Sequence, residues 1–282
     1  MILEGMQVSV VMPVFNAERF LAEAMESVLA QSFEDFEAIA VDDGSTDGSA
    51  GILERYARRD GRLRVFQRGH QRLPAALNFG CARAEGRYIA RMDADDIAMP
   101  ERLERQVKFL EAHPRVAILG TQIERIRQDG ARMNVERVPL EHAEIEANMQ
   151  RICCLFHPTV MMRAEAVREL GGYREAFFGA EDHDLWLRAA ERYELANLPD
   201  VLLKYRLHTG ALSFEKLEQQ VMAATAAELS AARRRAGQDD PFGGNKPVTR
   251  QDLRAAGIGD DRLDSSIRKA RDWYRQREIR ST

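Results

Sequence analysis

The sequence predicts an α/β fold: a mainly parallel central sheet with helices on both faces, plus a helical C-terminal extension. Three observations carry that expectation. Short apolar runs rich in β-branched residues alternate four times with helix-period segments between residues 8 and 110, which is the pattern of right-handed βαβ units. The first run, VSVVMPV, is apolar throughout, as a strand buried on both faces must be. Acidic clusters follow the second and fourth runs, at the sheet edge where open α/β folds hold ligands.

The elements follow in order. After the first strand, Phe20, Leu21, Ala24, Met25, Val28 and Leu29 recur at helical spacing. FEAIAVDD is a second strand; Ser45, Thr46 or Asp47 then caps a helix with Ile52, Leu53 and Tyr56 on one face. LRVFQ is a third strand, and LPAALNFGCARA a helix with Pro74 in its first turn. RYIARM is the fourth strand, and Pro100 opens a helix carrying Leu103, Val107 and Leu110. From about Val116 the pattern is mixed: VAILGT and HPTVMMR read as strands, EHAEIEANMQ, AEAVREL and DHDLWLRAAE as helices, and VLLKYRLH as a last strand.

One domain is expected over residues 1–210, followed by a long helix over 211–235 with Leu217, Val221, Thr225 and Leu229 inward. A linker rich in Gly, Pro and Asp is expected over 236–247, and a charged helical tail over 248–282. In the tail, Ile267, Ala270, Trp273 and Tyr274 share a face, with Arg268, Lys269, Arg271, Arg275, Arg277 and Arg280 around it. Such a helix packs on its own domain, joins a homo-oligomer or touches a membrane surface.

Composition excludes several classes. Lys+Arg 41 against Asp+Glu 45 leaves a net charge of −4, the wrong balance for a nucleic-acid protein. No apolar run approaches the roughly 18 residues of a membrane span, and MILEGMQ lacks the basic start and apolar core of a signal peptide. Cys153 and Cys154 are adjacent and Cys81 stands alone, so neither a disulfide framework nor zinc spacing is present. The expected location is cytoplasmic, with an option of peripheral contact at the inner face of the cell membrane.

The acids are Asp42 and Asp43 after the second strand, and Asp93, Asp95 and Asp96 after the fourth. Taken singly, each cluster reads as solvated turn residues or helix caps. Taken together they also read as a divalent-metal site. Asp-x-Asp on an extended segment turns both carboxylates to one side, and hard cations such as Mn2+ or Mg2+ accept oxygen ligands with substrate phosphates completing the shell. Spacing alone leaves both readings open. The chain has no G-x-x-x-x-G-K-[ST] loop, and MPVFNAE stands where a dinucleotide fingerprint would follow the first strand. A haloacid-dehalogenase-like phosphatase also uses Asp-x-Asp after a strand, but wants a small pair next, on the first strand; here Asp96 and Ile97 follow, on the fourth.

Several segments, in order, resemble the family 2 glycosyltransferases, which have a GT-A fold: VSVVMPVFNAERFLAEAMESVLAQSFEDFEAIAVDDGSTDGS, AALNFGCARAEGRYIARMDADDIAMPERLERQVKFL, HPTVMMR, GGYRE, AEDHDLWLRAAE and LLKYRLH. The resemblance spans about residues 7–208. It implies an inverting transferase that moves a sugar from a nucleotide-diphosphate donor, commonly a UDP-sugar, to a hydroxyl on a saccharide or lipid-linked acceptor. It places Pro13, Val14, Phe15, Asn16 and Glu18 at the donor base, and makes Asp43 the acceptor of a base N–H. Asp95 becomes the direct ligand of Mn2+ or Mg2+, Asp93 the acid near ribose and metal, and His208 a further metal ligand. Asp182 becomes the catalytic base, in a first helical turn where the macrodipole favours an ionised carboxylate. Glu181, Trp186 and His157 fall on the acceptor side. RGHQRLPAALN departs from the family's Asn-x-Gly, leaving Gly69 and Arg72 as phosphate candidates, with Arg206 another. The Gln-x-x-Arg-Trp signature of processive synthases is absent, so transfer of single sugars in cell-surface polysaccharide or glycolipid synthesis is expected. The alternatives are the phosphatase and a non-catalytic nucleotide-sugar binding protein.

Overall fold

A computed structural model describes residues 6–149, 154–208 and 214–279. Cys153, Arg280 and the side chains of Trp273, Tyr274, Arg275 and Arg277 lie outside what is described. The chain forms two compact units, residues 1–172 with 189–207, and residues 173–188 with 208–282. These divisions cut across the expected 1–210 boundary.

In the first unit, β1 (Val8–Val14), α1 (Leu21–Leu29), β2 (Phe36–Asp42), α2 (Ser49–Arg59), β3 (Leu63–Gln67), α3 (Leu73–Cys81) and β4 (Tyr88–Arg91) alternate as expected. The two-residue β5 (Ile97–Ala98) and α4 (Arg102–Ala112) follow, then β6 (Val116–Ile126), β7 (Arg132–Glu136), α5 (His142–Asn148), β8 (Met161–Arg163) and α6 (Ala164–Glu169). After α7 (Glu181–Ala190), β9 (Glu194–Arg206) completes the sheet. The strand order is β3-β2-β1-β4-β8-β6-β9-β5, with β7 paired to β6. The first four strands are parallel, β1 aligning Val14 with Asp42 and Val11 with Arg91. Beyond β4 the sheet is mixed: β8 runs antiparallel to β4 and β6, whereas β9 is parallel to β6.

Strand alternation sorts the core. Val8, Val10, Met12 and Val14 of β1, with Phe36, Ala38 and Ala40 of β2, pack in one cluster with Leu21, Met25, Leu53, Leu103 and Leu110 of α1, α2 and α4. Ile39 and Val41, one residue out of phase, pack with Ala76 of α3. Each large apolar side chain so enclosed contributes about 1.5–3 kcal/mol. The order 2-1-4 places the topological switch at β1, so the loops after β1, β2 and β4 share one sheet edge.

In the second unit, α8 (Phe214–Arg235), α9 (Arg250–Ala255) and α10 (Asp260–Ile279) pack together. The face that α8 buries comprises Leu217, Met222, Ala223, Ala226, Ala227, Ser230 and Ala231. Val221, Thr225 and Leu229 are only half-buried, because small side chains admit the closer approach. Residues 236–247 are more than a tether: Phe242 is buried and sits edge-on to Phe177 with ring centroids 6.2 Å apart.

Candidate active site

The loops after β1 and β2 are sewn together by side chains that cap one another's backbone. Asn16, held at φ 49°, accepts from Thr46 N–H at 2.8 Å, and its own N–H donates to the Ser45 hydroxyl at 3.0 Å. Glu18 accepts from Gly48 N–H at 2.9 Å. Asn16 and Glu18 are therefore staples of the loop pair as well as donor-site candidates. Pro13 and Val14 belong to β1 itself; Val14 is buried, and its carbonyl accepts from Asp43 N–H at 2.8 Å.

Asp43 is buried, and its carboxylate accepts from Gln71 N–H at 3.0 Å and Arg72 N–H at 2.9 Å, with the His70 ring Nδ1 2.9 Å away. Gly44 makes this turn possible. It adopts φ 81°, and a Cβ there would stand 2.9 Å from His70 N. Arg72 also has positive φ, at 75°, uncommon for a residue with a side chain. Phe15 is 48% exposed although large and apolar, and its ring stacks on His70 at 4.3 Å. No local pattern marks His70 in the sequence.

At the end of β4, Asp93, Asp95 and Asp96 each present a ligand atom, all within 4.8 Å of one another. Asp93 pairs with the buried Arg91. Asp96 is buried; its Oδ1 accepts from Arg206 N–H of β9 at 2.8 Å, while Oδ2 has no hydrogen-bond partner. Burial first, and then the charges of Asp93 and Asp95, push the Asp96 carboxyl well above the usual range. Tyr205 is held un-ionised by burial and by the same three acids. A buried oxygen with no partner, facing two further carboxylates, fits a hard divalent cation in donor chemistry.

Behind the acids lies Arg102, 1% exposed, donating to Arg91 O at 2.6 Å and Gln106 Oε1 at 3.2 Å; burial lowers it to about 9. It occupies the buried stripe of α4 with Leu103, Gln106, Val107 and Leu110, so a polar pair on an apolar face was its readable signal. The expected phosphate contact from Arg206 does not hold. Its guanidinium is buried and donates to Asp95 O at 2.8 Å and Gln128 O at 3.2 Å, and pairs with Glu23. His157 is buried, and burial followed by the Arg91 charge holds its pKa well below the usual value, keeping the ring neutral. His208, half-buried, lies just beyond β9.

In the second unit, α7 opens with Glu181, Asp182 and Asp184 in its first turn. Asp182 is half-buried and accepts from His183 N–H at 2.8 Å. Glu181 is buried and accepts from Gly179 N–H at 2.7 Å, so it closes the turn before the helix. Trp186, which the resemblance put on the acceptor side, is 2% exposed, its ring enclosed in the core.

The model of "Glycosyl transferase family 2" matches residues 9–171. The chain belongs to glycosyl transferase family 2. The Bacillus subtilis protein EpsE is 41% identical over 207 residues, covering 72% of this chain and 73% of its own. The O-antigen biosynthesis glycosyltransferase WbnJ of Escherichia coli is 31% identical over 205 residues, covering 71% and 80%. Among solved structures, S. aureus TarS residues 1–349 with UDP-GlcNAc superimposes with a TM-score of 0.63 at 17% identity, covering 94% of this chain and 79% of that one. The mannosyltransferase PcManGT of Pyrobaculum calidifontis, with GDP-Man and Mn2+, gives 0.62 at 18%, covering 94% and 73%. The family 2 member is thus a glycosyltransferase on a GT-A fold, which sets aside both the phosphatase and the non-catalytic reading. Among its described residues, no helix is long and apolar enough to cross a membrane.

Proposed function

We propose that this family 2 glycosyltransferase moves one sugar at a time, with inversion, from a UDP-sugar to a hydroxyl of a cell-surface polysaccharide or glycolipid acceptor. The observation that carries the reading is the unpartnered Asp96 Oδ2 inside the three-acid cluster at the end of β4, on the same sheet edge as the exposed Phe15. A relative in O-antigen biosynthesis, and fold neighbours holding UDP-GlcNAc or GDP-Man with Mn2+, support it.

In this reading the base of the donor lies on Phe15 and donates its N–H to Asp43, with Pro13, Val14, Asn16 and Glu18 shaping the loop and Arg72 beside the diphosphate. Asp93, Asp95 and Asp96 would hold a divalent cation, and His208 is carried from the resemblance as a further candidate ligand. When bound, Mn2+ or Mg2+ offsets the charge on the leaving nucleoside diphosphate. Arg91 orients Asp93 and restrains its charge. Asp182 takes the proton of the acceptor hydroxyl as its oxygen bonds to the anomeric carbon, and the bond to the diphosphate oxygen breaks with its electron pair going to the diphosphate. A hydroxyl is too weak a nucleophile to attack while keeping its proton, so a positioned carboxylate is needed. Glu181 and His157 shape the acceptor side. The chain works in the cytoplasm, and its tail touches the inner face of the cell membrane or a second copy.

Asp182→Asn tests this. Donor affinity with Mn2+, measured by calorimetry, should stay within about twofold, while transfer falls at least about 10²-fold, the loss typical of a missing general base. Unchanged transfer would make Asp182 a helix cap. A thermal-shift panel of UDP- and GDP-sugars, with and without Mn2+, identifies the donor; a response to GDP-sugars alone overturns the uridine assignment.

A further inference from the structure

The helix whose first turn carries Asp182 is tied to the C-terminal extension by an ionic chain. Asp184, two residues on and 0% exposed, receives Arg174 through both of its oxygens and Arg188 Nε at 2.9 Å. Arg174 has a third arm: its Nη1 donates to Asp240 Oδ2 at 2.6 Å. Asp240 in turn accepts from the Ser230 hydroxyl at 2.8 Å, from Phe242 N–H at 3.0 Å and from Arg234 at 3.3 Å. Ser230 and Arg234 belong to α8. The chain therefore runs from α8 through Asp240 and Arg174 to the first turn of α7.

The approach to α7 is held by the same extension. Val248 N–H donates to Ala176 O at 2.9 Å, Gln219 Nε2 to Phe178 O at 3.4 Å, and Phe177 meets Phe242 edge-on. Gly179, at φ 98°, has Gln220 so close that a Cβ would lie 3.3 Å from its Cγ. These contacts keep the segment folded. The ionic chain reaches the helical turn that carries Asp182. A fork-shaped guanidinium on a carboxylate fixes direction as well as distance.

We propose that Arg174 and Asp240 are positioning residues, which aim the α7 first turn so that Asp182 meets the acceptor hydroxyl, making the C-terminal extension part of the catalytic apparatus. The proposal rests on the reading of Asp182 as base. It concerns residues beyond the 9–171 family match. Misplacing a reacting group by about 1 Å can cost 10²-fold in rate, so a strut need not touch substrate to matter.

The test is Asp240→Asn in the full-length chain, which keeps an oxygen for Ser230 and Phe242 but turns an amide towards two arginines. The readout is nucleoside diphosphate release, with water as acceptor, from whichever of UDP-GlcNAc and GDP-Man gives the larger thermal shift with Mn2+. Turnover should fall at least about tenfold, with KM for the donor and its calorimetric affinity within about twofold. Asp240→Glu, which keeps the charge, should recover most of the loss. Added to Asp182→Asn, the Asp240→Asn change should lower the residual rate less than twofold, because two groups acting in one step are not additive. Wild-type turnover in Asp240→Asn, or an equal loss in both backgrounds, overturns the proposal. If Asp182→Asn alone keeps full activity, the base reading fails instead. If Asp240→Asn does not fold at the assay temperature, Arg174→Lys, a cation without the fork, is judged by the same criteria. Misfolding of both variants makes the chain purely structural and also overturns the proposal.

Discussion

Replacing Asp96 by Asn should stabilise the protein without metal while harming its use of metal. Asn keeps an oxygen for Arg206 N–H, now 2.8 Å from Asp96 Oδ1, and turns an N–H2 group towards Asp93 and Asp95. Two unit charges 4.8 Å apart, the outer limit for these oxygens, repel by about 3 kcal/mol at an effective dielectric of ~20. Protonation of Asp96 and the nearby Arg91 relieve much of that. What remains is the unpartnered buried Oδ2, worth about 1–3 kcal/mol. Unfolding entropy of roughly 2.1 cal/mol/K per residue over 282 residues converts this into a rise of about 2–5 °C in melting temperature. The pH dependence has a definite sign. The folded-state pKa of Asp96 is raised above 3.8, so its contribution is full below that value and is lost as pH climbs towards the folded pKa. Asp96→Asn removes that decline. Differential scanning fluorimetry across pH, with and without Mn2+ and donor, measures both effects. The Mn2+-dependent part of donor affinity should fall about tenfold or more. A lower melting temperature without metal, or an undiminished response to Mn2+, would refute the reasoning.

Phe15→Ala should weaken donor binding about tenfold, within the roughly 1–3 kcal/mol of a base–aromatic stack, with kcat nearly unchanged; equal calorimetric affinities would remove Phe15 from the base site. Gly44→Ala should cost about 1–3 kcal/mol, since its Cβ would press on His70 N at 2.9 Å with φ at 81°; an unchanged melting temperature would show that the turn yields. For His157, the folded state resists protonation while the unfolded chain accepts it below about pH 6.5. Stability should therefore fall as pH drops below that value, by at most about 1.4 kcal/mol per pH unit, and His157→Gln should show a shallower fall in melting curves between pH 6.5 and 5.

The first four strands were readable because each is a short run rich in apolar residues, a pattern that is local to the strand itself. β9 was half-read: Pro199 and Asp200 interrupt its apolar pattern, so only its VLLKYRLH half stood out, although Glu194–Arg206 is one strand. β5 has two residues and exists through its pairing with β9, which no local pattern encodes. β7 is mostly exposed and lacks alternation. At the site, the Asp-x-Asp spacing and family motifs led to the acids, but not to Asp96 as their buried third member, because its burial depends on Arg206 arriving from 110 residues away. Trp186 is ambiguous by type; only packing shows the ring enclosed. Arg174 and Asp240 are 66 residues apart, and nothing in either neighbourhood announces the other.

Residues 173–188 pack with 208–282, whereas the loops after β1, β2 and β4 belong to the other unit. A lineage acquiring a new acceptor could therefore import one cassette, the α7 turn together with its α8 and Asp240 braces, and leave nucleotide recognition as inherited. Grafting α7 alone would strand Asp184 without Arg174 and Asp240, so chimaeras that exchange 173–188 together with 208–282 should outperform those that exchange only the helix.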